Sequence, residues 1–130
     1  MNTPQALIES AYAAFGRGDL PALLALMDDA IEWQFVADRA APYTATVRGK
    51  AQVAEWFAAV AQTDDIQRFE PRQFLAGEGH VAVRGWERCT TRATGRAFES
   101  DWVHLWQVQG GRITRFFGML DAQAAAATRG

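Results

Sequence analysis

Residues 98–108 read Phe98-Glu99-Ser100-Asp101-Trp102-Val103-His104-Leu105-Trp106-Gln107-Val108 and carry large aromatic residues at alternate positions around one histidine. A period of two predicts a long β-strand with Trp102, His104 and Trp106 on one face. Such a face can form the wall of an apolar cavity that holds one titratable group, as in many small-molecule sites. The alternative is a core histidine whose hydrogen bonds are satisfied inside the protein.

Three further strand-like segments flank this run, so that the second half of the chain reads as strands at residues 66–76, 80–92, 97–109 and 112–120. The connections between them are Gly77-Glu78-Gly79, Thr94-Gly95 and Gly110-Gly111, which are short enough for hairpins. These strands are longer than average and are expected to twist and bend strongly. A bent sheet of this kind leaves a conical space on the side that its helices cover.

Helices dominate the first half of the chain. Apolar residues at helical spacing predict helices at residues 4–17 and 50–62, and Asp19 is a plausible N-cap for a second helix that runs to about residue 27. A short strand at residues 31–35, a loop at 37–48 and a terminal helix capped by Asp121 complete the pattern. The order α-α-β-α-β-β-β-β predicts an α+β fold. We expect a cone-shaped α+β barrel in which three N-terminal helices pack on a strongly curved antiparallel sheet and enclose one cavity.

Composition narrows the function classes. The 130 residues form one domain (residues 1–130), of which 49% are hydrophobic, with five tryptophans and a net charge of −2. No basic block indicates a nucleic acid or membrane partner, and the N-terminus lacks the regions of a signal peptide. Cys89 is the single cysteine and there are two histidines, so neither a disulfide nor a metal site is expected. We expect a cytoplasmic protein without a cofactor.

Several short stretches resemble one family over nearly the whole chain. These are Tyr12-Ala13-Ala14-Phe15-Gly16-Arg17-Gly18-Asp19-Leu20, Leu26-Met27-Asp28-Asp29-Ala30-Ile31-Glu32-Trp33, Arg48-Gly49-Lys50 and Gly110-Gly111-Arg112-Ile113. The pattern resembles the SnoaL-like domains of the nuclear transport factor 2-like superfamily, which are related to polyketide cyclases and ketosteroid isomerase. The resemblance implies the cone-shaped fold. It leaves the activity open, because members include isomerases, cyclases, hydrolases, dehydratases and proteins without chemistry.

The resemblance to ketosteroid isomerase assigns roles to three positions. Tyr12 matches the tyrosine that donates a hydrogen bond to the oxyanion, and His104 stands where the second donor, a protonated aspartate, would lie. Gln34 stands at the position of the base aspartate. An amide cannot abstract a proton at neutral pH, so steroid isomerisation by that mechanism is not expected. His104 instead suits proton transfer because the unperturbed pKa of histidine lies near neutrality.

Other side chains have two possible roles each. Aromatic residues predicted to line the cavity, or else to form ordinary core, are Trp33, Phe57, Trp102, Trp106 and Phe116. Glu32 shares a face with Gln34 and is the carboxylate with the best claim to the pocket, whereas Glu99 and Asp101 alternate onto the face opposite His104. Arg84 can hold an anionic group of a substrate, but we prefer a cross-strand ion pair with Glu99 or Asp101.

Three functions remain open from the sequence. The first is a cofactor-independent isomerase, cyclase or dehydratase that acts on an apolar carbonyl or aromatic compound through His104, Tyr12 and Gln34. The second is a non-catalytic protein that binds the same kind of molecule, and the third is an interaction module. We also expect a homodimer, because the convex face of the sheet would expose Val81, Val83, Val103, Leu105, Phe117 and Met119 in a monomer.

Overall fold

A computed structural model describes residues 3–130 of the chain. In this range the helices are α1 (Pro4–Gly16), α2 (Leu20–Ala25), α3 (Lys50–Thr63) and α4 (Ala122–Ala126). The strands are β1 (Met27–Val36), β2 (Ala45–Arg48), β3 (Asp64–Gly77), β4 (His80–Thr91), β5 (Ala97–Gln109) and β6 (Arg112–Leu120). Asp19 caps α2 and Asp121 caps α4 through hydrogen bonds to backbone amides, as the sequence predicted.

The predicted loop at residues 37–48 is partly wrong, since Ala45–Arg48 forms strand β2. It pairs antiparallel with β1, with Val47 opposite Trp33. This strand spans only four residues at the edge of the sheet, with alternating half-buried and exposed positions. It is held by its pairing with β1, and so short a segment leaves little periodicity to detect.

The sheet has the order β2-β1-β6-β5-β4-β3 and is mixed rather than antiparallel. Hairpin neighbours β3 to β6 run antiparallel, but β1 pairs with β6 in parallel. Most of the chain separates β1 from β6, so no tight turn imposes an antiparallel pairing on them. The sheet is not closed, because β2 and β3 remain edge strands. The α+β class is therefore confirmed, and the sheet, which we expected to be antiparallel throughout, is mixed and open.

Helices cover one face of the sheet, which we call the inner face. Helix α1 packs on β3 and β4, and α3 packs on β1, β2 and β3. Val81 and Val83 lie on this face, each 1% exposed, opposite Trp106 and His104 on β5. Their predicted place on the convex face is thus wrong, because directly opposed residues on neighbouring strands point to the same side.

The other face of the sheet, which we call the outer face, carries exposed apolar residues in two neighbouring rows. Leu75 on β3 lies in the row that includes Leu105 on β5, and Val103 on β5 lies opposite Met119 on β6. All four side chains are at least 40% exposed. These four residues are the outer patch.

Candidate functional site

A cavity of about 70 Å³ lies between the inner face and the helices. A volume of about 10–15 Å³ is enough for one water molecule, so the cavity has room for several waters or for a small organic molecule. Its walls are mostly aromatic, with Tyr12, Phe15, Trp33, Phe35, Tyr43, Trp56, Phe57, Phe69, Trp106 and Phe116. Its titratable groups besides the tyrosines are Asp64, Glu87, Cys89 and His104. Four of the predicted aromatic residues, Trp33, Phe57, Trp106 and Phe116, line this cavity.

A chain of hydrogen bonds joins three side chains in one wall of the cavity. The Trp106 Nε1–H donates to the hydroxyl oxygen of Tyr12 at 3.0 Å. The same hydroxyl lies 2.7 Å from Nδ1 of His104. Tyr12 stands on α1, whereas His104 and Trp106 are two residues apart on β5 and so share the inner face. The structure thus brings together Tyr12 and His104.

The direction of these bonds defines the tautomer of His104. An indole N–H only donates, so the Tyr12 oxygen accepts from Trp106 and its own proton is free to donate to Nδ1. Nδ1 of a neutral imidazole that accepts a hydrogen bond carries no proton, which leaves the proton on Nε2. No hydrogen bond among residues 3–130 engages Nε2. His104 therefore offers one N–H donor to a molecule in the cavity.

Burial keeps His104 neutral. Its side chain is 7% exposed, and desolvation lowers its pKa from 6.5 to about 3. Burial also raises the pKa of Tyr12 well above its usual value near 10, so the phenol keeps its proton. The expectation that His104 titrates near neutrality is therefore corrected. At pH 7 the pair therefore presents one uncharged hydroxyl and one uncharged imidazole, which are suited to hydrogen bonding rather than to taking up a proton.

Trp102 supports His104 from behind and is not one of the residues that line the cavity. The indole stacks on the imidazole, with ring centroids 4.0 Å apart. It also lies against Gly85, where a Cβ atom would come within 2.1 Å of the indole ring. The glycine on β4 thus leaves space for the tryptophan, and the tryptophan fixes the plane of the imidazole.

Gln34, which the sequence comparison placed at a catalytic position, lies outside the cavity. Its exposed side chain alternates with the buried Trp33 and Phe35, and so points to the outer face. Glu32 shares that face and forms ion pairs with Arg48 and Arg115. Both residues instead line a separate pocket with Arg48 and Arg115.

The remaining polar candidates are structural. Asp101 is exposed and Asp121 caps α4, so neither lines the cavity. The cross-strand ion pair on the outer face joins Arg88, not Arg84, to Glu99 at 3.6 Å. A cross-strand ion pair to Glu99 is thus present as predicted, but its arginine lies four residues further along β4.

Glu87 is a carboxyl in the cavity wall that the sequence interpretation missed. Its side chain on β4 is 8% exposed, and Oε1 accepts a hydrogen bond from Sγ of Cys89 at 3.4 Å. Burial, with a smaller contribution from the negative charge of Asp64, raises its pKa from 4.5 to about 7. The signal was present, because Val81, Val83, Gly85, Glu87 and Cys89 alternate onto one apolar face. A lone carboxyl among such neighbours marks a candidate site.

A buried ion-pair cluster lies next to Glu87. Arg129 donates to both carboxylates of Asp38 and Asp64, and its guanidinium Nη2 also donates to the Tyr43 hydroxyl at 3.0 Å. The Tyr43 hydroxyl in turn donates to Asp64 at 2.6 Å. The side chain of Arg129 is 8% exposed. Because one arginine serves two buried carboxylates, the cluster holds the segment after α4 against the sheet.

The sequence profile of the SnoaL-like domain matches residues 8–116, which is most of the chain. The chain belongs to the SnoaL-like family. This confirms the resemblance drawn from the short stretches around Tyr12, Ile31, Gly49 and Gly110. No curated protein matches the sequence. Among residues 3–130, no group of three His, Cys, Asp or Glu side chains is placed to hold a metal ion, and no helix is long and apolar enough to cross a membrane.

Solved structures of this SnoaL-like domain's relatives share its fold over their full length. An NTF2-like protein of Burkholderia thailandensis E264 is 27% identical, with a TM-score of 0.92 over 100% of this chain and 99% of its own. An NTF2-like protein of Burkholderia xenovorans LB400 is 30% identical, with a TM-score of 0.87 over 98% and 95%. TerC, co-crystallised with polyporic acid, is 26% identical, with a TM-score of 0.86 over 97% and 98%.

Proposed function

We propose that this SnoaL-like protein binds a flat, mostly apolar molecule that carries a carbonyl, quinone or phenol oxygen, and that it catalyses a cofactor-independent isomerisation, cyclisation or dehydration of that molecule. The observation that carries the proposal is the hydrogen bond between Tyr12 and His104 in the wall of an aromatic cavity. Apolar walls with a few fixed polar groups are the usual construction of small-molecule sites.

The polar end of the ligand would lie at His104. Its Nε2–H is oriented by the bond from Tyr12 and by the stacked Trp102, so little freedom is lost when it donates to an oxygen. A neutral imidazole donor stabilises negative charge that develops on a carbonyl oxygen during proton transfer. In this proposal His104 polarises the substrate and Tyr12 fixes the tautomer of His104.

The rings of Trp33 and Phe116 in the cavity wall support a flat ligand. They stack with ring centroids 3.9 Å apart, so together they offer the ligand an aromatic surface.

TerC supports the chemical class, since that relative was crystallised with polyporic acid. Polyporic acid is an aryl-substituted hydroxyquinone, and it is aromatic and rich in oxygen. Compounds of this kind are therefore reasonable first probes for the cavity of the present chain.

Binding is tested by titrating a panel of hydroxyquinones and aromatic ketones, including polyporic acid, and following tryptophan fluorescence. Saturable quenching by at least one compound is expected, with affinity reduced about tenfold or more in His104→Phe because one hydrogen bond to a polar group is lost. Gln34→Ala is the matched control on the outer face and should bind as the wild type does. Equal affinity of His104→Phe and the wild type for every compound would contradict the proposed orientation.

A non-catalytic binding protein is the second candidate. The observation in its favour is the low pKa of His104, because the neutral imidazole is too weak an acid and too weak a base to transfer a proton at pH 7. Turnover separates the two functions. Chemical change of any bound enone or hydroxyquinone by the wild type, absent in His104→Phe, supports the enzyme, whereas saturable binding without change across the panel supports the binding protein.

A further inference from the structure

The cavity has a second polar end, formed by Glu87. Glu87 and His104 both line the same cavity, on neighbouring strands of the inner face. His104 offers a neutral donor, as described above. We propose that Glu87 is the catalytic acid–base of this protein, which removes a proton from the substrate and returns it. This inference rests on the proposed function and adds the group that His104 does not supply.

Glu87 is placed to exchange a proton because no cation neutralises it. The nearby Arg129 is already engaged by Asp38 and Asp64, and no ion pair among residues 3–130 involves Glu87. Its only hydrogen bond from a side chain in that range is the long one from the Cys89 thiol. A structural buried carboxylate would be expected to carry stronger partners. One oxygen of Glu87 therefore remains available at the cavity surface.

The groups that face Glu87 allow it to exist both with and without its proton near neutral pH. On β4 it meets Cys89, whose own pKa is raised by burial, so the thiol stays protonated and donates to Oε1. From β3 it faces the negative charge of Asp64, which favours the protonated form of Glu87. Arg129 and Tyr43 bind Asp64 rather than Glu87. Burial and one neighbouring carboxylate thus keep both protonation states accessible near neutral pH.

The separation of the two ends defines the class of substrate. His104 lies opposite Val83, and Glu87 is four residues further along β4, so the two Cα atoms are offset by about 13 Å along the strands. A molecule that contacts both side chains must be at least a ring long. Proton removal at one end can place charge on an oxygen at the other end only through a conjugated system. The geometry therefore indicates a conjugated cyclic enone or a para-related phenol or quinone.

The proposed step is balanced within the substrate and one carboxylate. Ionised Glu87 takes a proton from the vinylogous (γ) carbon, so that a C–H bond breaks and an O–H bond forms on the carboxyl. The electron pair moves through the conjugated system to the carbonyl oxygen, which accepts a hydrogen bond from Nε2 of His104. The proton on the Glu87 carboxyl exchanges with solvent, and Glu87 then protonates the α or the γ carbon and regains its charge, with no net redox change.

The test uses a bicyclic enone, hexahydronaphthalen-2-one, in D₂O, with exchange of its γ protons followed by NMR. We expect the wild type to accelerate exchange, with a rate that rises as pH increases through about 7, since the base form of Glu87 is then populated. Glu87→Gln should lower the rate about 100-fold or more while fluorescence-detected binding stays within about threefold. Glu78→Gln, an exposed carboxyl in the turn before β4, is the matched control and should keep both.

The outcomes are distinguishable. Exchange at the wild-type rate in Glu87→Gln overturns the role of Glu87 and leaves the proposed function standing. No acceleration by the wild type, despite binding, overturns catalysis altogether and leaves the binding protein. If Glu87→Gln does not fold, the wild-type profile decides, because a pH-independent rate between pH 5 and 9 contradicts the inference. A ¹³C titration of the Glu87 carboxyl provides a further check, with a midpoint well above 4.5 expected.

Discussion

Tyr12→Phe removes one oxygen atom and leaves two buried polar groups without a partner. Trp106 Nε1–H loses its acceptor, and Nδ1 of His104 loses its donor. Each orphaned group costs roughly 1–3 kcal/mol, and the phenyl ring recovers some of this because it needs no desolvation of a hydroxyl. We therefore expect Tyr12→Phe to lower the free energy of unfolding by about 2–4 kcal/mol.

Urea unfolding followed by tryptophan fluorescence measures this change directly. For a domain of this size, such a loss corresponds to a Tm lower by roughly 6–16 °C. The matched control is Ser10→Ala, which deletes a hydroxyl from the exposed side of the same helix and should change stability by less than about 0.5 kcal/mol. A loss below about 0.5 kcal/mol in Tyr12→Phe would refute the reasoning that this hydroxyl satisfies both groups.

Three further outcomes follow from the structure. The pKa of His104 falls to about 3 on folding, so below about pH 6.5 the unfolded chain binds a proton that the folded chain does not. The free energy of unfolding should therefore fall as the pH is lowered from 6.5 towards 3. Urea titrations at several pH values should show a weaker pH dependence for His104→Gln. Arg129→Met should destabilise by about 3–5 kcal/mol, because Asp38 and Asp64 lose their shared cation, and a thermal melt within 2 °C of wild type would contradict this. The outer patch still predicts a homodimer: sedimentation should show Val103→Glu dissociating and Val103→Thr associating, whereas a wild-type monomer at micromolar concentration would end that prediction.

The regular elements were predictable because their sequence periodicity is strong. Strands β5 and β6 begin and end where the glycine turns and apolar alternation put them, and Asp19 and Asp121 cap the helices that follow them. Strand β2 and the parallel pairing of β1 with β6 were not predicted. Strand β2 is too short to show a period, and the pairing of β1 with β6 joins segments far apart in the chain, which local patterns do not encode.

The site was predictable in part, and its errors share one cause. Alternation along β1 puts the side chains of Gln34 and Trp33 on opposite faces of the strand, and only Trp33 lines the inner cavity. Alternation along β4 likewise puts Val81, Val83 and Glu87 on one face, so it predicts that all three point inward. The low pKa of His104 could not be predicted from the sequence, because it depends on burial of the imidazole beneath α1 and beside Trp102.

The most direct measurement is a crystal structure of the protein with the compound that binds most tightly in the fluorescence panel. We expect a ligand in the inner cavity with an oxygen within about 3.2 Å of Nε2 of His104. Its ring should lie against Trp33 or Phe116. A ligand bound on the outer face, or one in the cavity whose oxygens avoid His104, would contradict the account.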